Sequence, residues 1–220
     1  VGIKQKETTE LSLERNNESR SLFPVAYESD LASIDVGLDP LTGISPLPLT
    51  EVVEIIICGG PNTKNIKACV ESIRTHTKTA SYNLHIVSHE QDRPKIVPEV
   101  GDDVIFHTHL MENFNYSKAN NIVLSQTEND AVLLNDDTEV TEGSLEKLRR
   151  ASGGVALTGA HTGSHCAGNL DMWEPGPTRL TNYPINMFCA YIPRRLKQVI
   201  GLLDEQFVYY GGEDVDYSIR

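Results

Sequence analysis

LLNDDTEV, Leu133 to Val140, is where an apolar run gives way to charge: Ala131 to Leu134 carry no polar side chain, and Asn135, Asp136 and Asp137 follow without a break. A short continuous apolar run that stops this sharply fits a strand buried on both faces, which delivers its charge to the edge of a sheet. Carboxylates packed so closely repel unless water, a cation or a basic partner neutralises them. A hard divalent cation held by carboxylate oxygens, and in turn gripping phosphates, is one natural solution. The same residues also make a solvated turn or the cap of a following helix, so the stretch takes its meaning from its surroundings.

Those surroundings alternate between strand and helix. VVEIII (Val52 to Ile57) is β-branched and nearly all apolar, and it breaks at Cys58, Gly59, Gly60, Pro61 and Asn62. Ile66, Cys69, Val70 and Ile73 then follow helical spacing. LHIV (Leu84 to Val87) predicts a second strand running out into Ser88 to Asp92, and DVIFH (Asp103 to His107) a third. Asn113 to Gln126 predicts a helix with Ser117 as its cap and Ala119, Ile122 and Val123 as its apolar stripe. After the strand Ala131 to Asn135, Leu145 and Leu148 mark a short helix, and GVALTG (Gly154 to Gly159) and INMFCAYI (Ile185 to Ile192) read as two further strands. Pro193 suits the opening of a helix carrying Leu196, Val199 and Ile200. This order predicts an α/β fold, a mostly parallel twisted sheet with helices on both faces. Ligands bind such sheets beyond the carboxyl ends of the strands, where the polar breaks at 59–62, 88–92 and 135–137 all fall.

Composition narrows the function. The 220 residues suffice for one domain with a full core plus extra segments, and the formal net charge of −12 with no basic stripe argues against general nucleic-acid binding. No apolar run has the length of a membrane span and no signal peptide is visible. Cys58, Cys69, Cys166 and Cys189 form no CxxC pair, which favours a reducing, cytoplasmic setting. Residues 1–50, rich in Glu, Ser, Asn and Pro, read as an N-terminal extension or linker, with a short helix near Leu11 to Arg15. Residues 51–220 form the α/β domain, which is expected to be truncated at its C-terminal end, since the chain stops at Arg220 inside a helical pattern.

Two long segments carry a resemblance. FNYSKANNIVLSQTENDAVLLNDDTEV joins an Asn-rich helix to the acidic turn, and FCAYIPRRLKQVIGLLDEQFVYYGGEDVDYSIR runs from a strand through an Arg-containing helix to Asp-Glu-x-Phe and Glu-Asp-x-Asp. In order and spacing these resemble the family-2 glycosyltransferases, which have the GT-A nucleotide-sugar fold, over about Val53 to Arg220. The resemblance implies a Rossmann-like domain that transfers a sugar, with inversion, from a nucleoside-diphosphate donor (a UDP-sugar favoured) to a hydroxyl of a glycan or glycolipid acceptor. It implies a role in polysaccharide or surface-glycan synthesis, peripheral to the inner face of a membrane and within a longer multidomain polypeptide. Asp137 matches the family's metal-binding Asp for Mn²⁺ or Mg²⁺. Asp136 and Asn135 occupy the preceding motif positions, Asn135 where members often have Asp. Strand alternation would turn Asn135 and Asp137 to the same side. Asp214 matches the catalytic base, which accepts the acceptor's proton, and Glu213 a residue lining the acceptor site. As a purely local reading, GGEDVD is also a helix start with its acids at the positive end of the dipole.

Nucleotide contacts fall on Gly59, Gly60 and Asn62 after the first strand. Ser88 or Glu90 stands where members place an Asp that reads the base. Asn115, Ser117 and Asn120 lie on the helix whose counterpart faces the nucleotide, although Asn120 also suits a tie between helix and loop. His161, His165 and Cys166 offer a zinc reading without a second ligand pair, Trp173 a sugar-stacking or packing role, and Tyr209 and Tyr210 the acceptor groove. Arg194 and Arg195 suit either phosphate neutralisation or a helix surface. Two other functions remain open from sequence. A sugar nucleotidyltransferase would need a basic, Gly-rich phosphate loop, whereas this loop has only Lys64 nearby. A catalytically silent glycan- or nucleotide-binding domain of the same fold is kept open by Asn135 and the missing base-reading Asp.

Overall fold

A computed structural model describes residues 48–78, 80–160, 184–208 and 211–220. The extension to residue 47, His161, His165, Cys166, Trp173, Tyr209 and Tyr210 lie outside the described residues. The sheet has strands β1 (Val52–Gly59), β2 (Ser81–His89), β3 (Val104–His109), β4 (Asp130–Asn135), β5 (Thr158–Gly159) and β6 (Cys189–Ile192) in the order β3-β2-β1-β4-β6-β5. Strands β1 to β4 pair in parallel, and β6 runs antiparallel to β4 and β5. The helices are α1 (Thr63–His76), α2 (Arg93–Val100), α3 (Tyr116–Leu124), α4 (Ser144–Ser152), α5 (Arg194–Ile200) and α6 (Glu213–Ile219). No helix among the described residues is long and apolar enough to cross a membrane.

The expected mostly parallel α/β sheet is what forms, and its central strands are apolar on both faces for the reason the sequence predicts. Ile55, Ile57, Val132 and Leu134 pack with Ile66, Cys69, Val70 and Ile73 of α1 and Ile96 of α2. Ile56, Cys58 and Leu133 pack on the other side with Ala119 and Val123 of α3 and with Tyr217 of α6. Each fully buried isoleucine or leucine contributes about 1.5–3 kcal/mol against exposure, so β1 and β4 anchor the sheet from which the site projects.

Three expectations need correction, one helix was not expected, and one open alternative closes. Residues 93–100 form a helix that periodicity did not reveal: Pro94 sits in its first turn, where no amide bond is lost, and Pro98 lies inside it. The strand expected over Gly154 to Gly159 is reduced to two residues, and that expected over Ile185 to Ile192 to its last four. Asn115, not Ser117, caps α3: its Oδ1 accepts the Lys118 N–H at 2.8 Å. Arg194 lies at the amino end of β4, its backbone N–H donating to Asp130 Oδ1 at 2.7 Å and its guanidinium to the Pro48 carbonyl. Six residues of strand, about 16 Å, separate that end from Asn135, so Arg194 does not neutralise a phosphate at the acidic turn.

A buried polar line crosses the sheet below the site. His85 Nε2 lies 2.7 Å from Glu54 Oε2, and His85 Nδ1 lies 3.0 Å from His107 Nε2. Burial, with the His85 charge adding, holds the His107 pKa below its usual 6.5. For Glu54 burial works the other way, but hydrogen bonds from Asn129, His85 and Asn83 prevail and hold its carboxyl below the usual 4.5. In both cases the folded chain binds fewer protons than the unfolded chain. Stability is therefore fully present above about pH 6.5, falls first as His107 gains its proton in the unfolded state, and falls again below about pH 4.5 through Glu54. The melting temperature is expected to drop in two stages between pH 7 and pH 4, and His107→Gln should make the first stage shallower while leaving the second. Unchanged melting between pH 7 and pH 5 would contradict this.

Candidate functional site

The carboxyl ends of β1, β2 and β4 stand side by side. Cys58 is flanked by Val87 on β2 and Asn135 on β4, and Gly59 by Ser88. The three polar breaks that the sequence places beyond the strand ends are therefore neighbours at one sheet edge. After Asn135 the chain turns, with Thr138 N–H donating to the Asn135 carbonyl at 3.1 Å. This turn ends strand alternation, so the expected pairing of Asn135 with Asp137 on one side does not follow from the pleat. Asp136 instead folds back on β1, and its Oδ2 accepts the Gly60 N–H at 2.9 Å. A methyl group on Gly60 would stand 3.2 Å from that same oxygen, so the bare glycine is what lets the amide come so close. Gly59 is equally confined, its pro-Cβ position 3.0 Å from Ile66 Cδ1.

The electrostatics of the turn follow from this latch. Burial raises the Asp136 pKa above the ordinary carboxylate range, the Gly60 amide opposes the rise, and the charge of Asp137 adds to it. Asp137 itself is exposed and makes no hydrogen bond or ion pair with any described residue. Among the described residues no three His, Cys, Asp or Glu side chains converge as a metal cage. The donor set is thus one uncommitted carboxylate backed by a second. That set fits a cation taking most of its ligands from water and a diphosphate, as Mg²⁺-like ions do.

Helix α3 and the start of α6 close the other side. Asn115 Nδ2 donates to the carbonyls of Glu205 at 2.9 Å and Phe207 at 3.1 Å, so its amide is committed to the scaffold. Asn121, which sequence reading passed over, clamps the same loop: Nδ2 donates to Leu203 O at 2.8 Å and Glu205 Oε1 at 3.0 Å, and Oδ1 accepts Leu203 N–H at 3.2 Å. Its signal is the adjacent pair Asn120–Asn121, of which only the first residue entered the expected site. Asn120 donates to Tyr116 O of its own helix at 2.9 Å and makes no tie to a loop among the described residues. The clamped loop leads to Gly211 and Gly212, both with positive φ, and then into α6. Gly212 has an aromatic ring against it, with Phe207 Cδ1 2.8 Å from where a Cβ would stand.

Among the residues expected to bind a ligand, Ser88 Oγ, Ser117 Oγ, Asn120 Oδ1 and Glu213 Oε2 are buried without a hydrogen-bond partner among the described residues. Unpartnered buried polar atoms are uncommon. Burial, then Cys58 and Glu213, raises the Tyr116 phenol, and burial, then Asp136, raises the Cys58 thiol. Tyr116 is fixed meanwhile by its OH donating to Met187 O at 2.8 Å. Asp214 follows on the first turn of α6, partly exposed, its Oδ1 accepting the Val215 N–H at 2.8 Å. Asn62 occupies the cap position of α1 without a capping bond from its side chain, and Glu90 is exposed.

No protein-family model and no curated protein matches the sequence. Solved structures do match. The mannosyltransferase PcManGT of Pyrobaculum calidifontis, in complex with GDP-Man and Mn²⁺, superposes with a TM-score of 0.52 at 12% identity over 94% of this chain and 57% of its own. Residues 1–349 of S. aureus TarS, in complex with UDP-GlcNAc, superpose with a TM-score of 0.50 at 12% identity over 77% of this chain and 52% of its own. The chain thus spans just over half the length of these two structures. Strand order, flanking helices and these likenesses agree on one conclusion: the chain has the GT-A fold of glycosyltransferases.

Proposed function

We propose that this domain is a metal-dependent, inverting glycosyltransferase that moves a sugar from a nucleoside-diphosphate donor to a hydroxyl of a glycan or glycolipid. Its proposed setting is surface-polysaccharide synthesis, at the inner face of a membrane and within a longer polypeptide. The observation that carries this reading is the latch of Asp136 on Gly60, which sets an uncommitted Asp137 carboxylate beside a glycine loop at the carboxyl edge of the sheet. The likeness to proteins holding GDP-Man with Mn²⁺ and UDP-GlcNAc supports it. Mn²⁺ or Mg²⁺, when bound, would neutralise the charge gathering on the departing diphosphate. Asp137 would hold the ion, the Gly59–Gly60 backbone would admit the nucleotide closely, and Ser88, Ser117 and Asn120 would offer it their unpartnered oxygens. Asp214 would receive the acceptor hydroxyl's proton as that oxygen attacks the anomeric carbon, with Glu213 beside it facing the acceptor.

The test is thermal shift and calorimetry with UDP-GlcNAc and GDP-mannose, with and without Mn²⁺. Donor binding is expected to strengthen when Mn²⁺ is present, and Asp137→Asn is expected to abolish that metal-dependent gain, a loss of about tenfold or more in donor affinity. Donors that bind no better with Mn²⁺, and remain intact on long incubation with it, would defeat the assignment.

A further inference from the structure

We infer that the open edge of β3 pairs with the same strand of a second copy of this chain, antiparallel about a two-fold axis at Phe106, to form a weak symmetric dimer. β3 ends the sheet, with no neighbour on its outer side among the described residues. A strand edge is a row of unpaired amides and carbonyls, and monomeric chains blunt it with charge, proline, a bulge or brevity. The opposite edge of the sheet is blunted in this way, since β5 has two residues. β3 carries none of these devices. Val104–His109 contains no Asp, Glu, Lys, Arg, Pro or Gly in a chain that is 23% charged, and it pairs with β2 in unbroken register. Ile105 is 45% exposed, and Thr108 is exposed as well.

Hydrogen bonding fixes the register of such a pair. The His109 carbonyl accepts the Glu90 N–H at 3.1 Å. Along a strand paired on one side in parallel, the residues that turn amide and carbonyl to that neighbour alternate. Ile105, His107 and His109 therefore bond β2, while Val104, Phe106 and Thr108 turn their backbone groups to the open side. An antiparallel neighbour bonds through residues that stand directly opposite and exchange both bonds. Only a two-fold axis at Phe106 engages Val104, Phe106 and Thr108 together, pairing Phe106 with Phe106 of the second copy and Val104 with its Thr108. The side chains accept the same register. Exposed Ile105 lies beside His107 of the second copy. Asp103, which already accepts a 3.2 Å bond from Arg74 Nε, lies opposite its His109. No two like charges face each other across the seam, which removes the usual obstacle to such pairing. The axis stands normal to the sheet, so the carboxyl edges of the two copies point in opposite directions and both acidic turns stay open. Two strands of this length bury less than about 1,200 Å², the range of weak and transient contacts. The dissociation constant is accordingly expected in the micromolar range, about 1–100 µM.

Sedimentation velocity of the whole 220-residue chain, from about 1 to about 200 µM, tests this. The weight-average mass is expected to rise with concentration from that of one chain toward that of two. Ile105→Lys places a charge on the seam, and Thr108→Pro removes an outward N–H without touching the bonds to β2. Each is expected to raise the dissociation constant about tenfold or more. Phe106→Cys, with oxidised glutathione as the oxidant, is expected to link two chains through a disulfide, because its counterpart stands directly across the axis. Thr108→Cys faces Val104 of the second copy and stays unlinked. Melting curves of each variant establish that it is folded, and the wild-type concentration series stands without any variant. A chain that remains monomeric throughout, or that grows past the dimer, overturns the inference. So does association unchanged in folded Ile105→Lys and Thr108→Pro, or a Thr108→Cys chain that cross-links as readily as Phe106→Cys.

Discussion

Asp214→Asn is expected to lower sugar transfer by about 10²–10⁴-fold while leaving donor affinity within about twofold, because a positioned base contributes that much to a step in which a hydroxyl loses its proton. The structure separates the two acidic sites by element and by environment. Asp136 and Asp137 belong to the turn after β4, where Gly60 holds one and the other is exposed. Glu213 and Asp214 open α6, which reaches the sheet edge through the loop that Asn115 and Asn121 hold. A carboxylate on the first turn of a helix keeps its charge easily, since the helix dipole favours the anion, and Asp214 is in addition bonded to a backbone N–H. Converting it to the amide preserves shape and removes the proton acceptor. Donor binding, which the proposed function assigns to the other site, should not notice. Asp137→Asn is the mirror case, losing metal-dependent donor binding first. Donor affinity lost in Asp214→Asn with transfer retained in Asp137→Asn would reverse the two roles.

How much of this was legible in the sequence depends on the kind of signal each part left. The parallel sheet was plain, because Val52 to Ile57 and Ala131 to Leu134 are short, nearly continuous apolar runs that alternate with helical spacing, as strands covered on both faces do. The acidic turn was plain for the same reason, as the place where burial stops. The fate of individual carboxylates within it was not, because alternation holds only while the backbone is extended, and a turn closed by Thr138 on Asn135 ends it. The cap of α3 was misplaced by two residues because Asn115 and Ser117 are both good caps in isolation; the choice is made by the carbonyls of Glu205 and Phe207, some ninety residues away.

Asn121→Ala is expected to destabilise the domain by about 2–5 kcal/mol, measured by urea unfolding. Asn121 is 5% exposed and Leu203 2%, so truncating the amide strands both the N–H and the carbonyl of Leu203 away from water, at about 1–3 kcal/mol each. The bond to Glu205 Oε1 goes with them. Asn121→Asp should be no rescue, since it keeps an acceptor for Leu203 N–H but presents a carboxylate to the Leu203 carbonyl and to Glu205. Against a typical total of about 5–15 kcal/mol, such a loss is large, yet its first consequence should be local. Residues 203–207 carry Phe207, which packs on Gly212 at the start of α6, so loosening this loop frees the helix that bears Asp214. Hydrogen exchange at Leu203 is therefore expected to quicken well before global unfolding, and transfer to decline more than donor affinity. A folded Asn121→Ala variant within about 0.5 kcal/mol of wild type, with Leu203 still protected, would mean that Asn115 holds the loop alone.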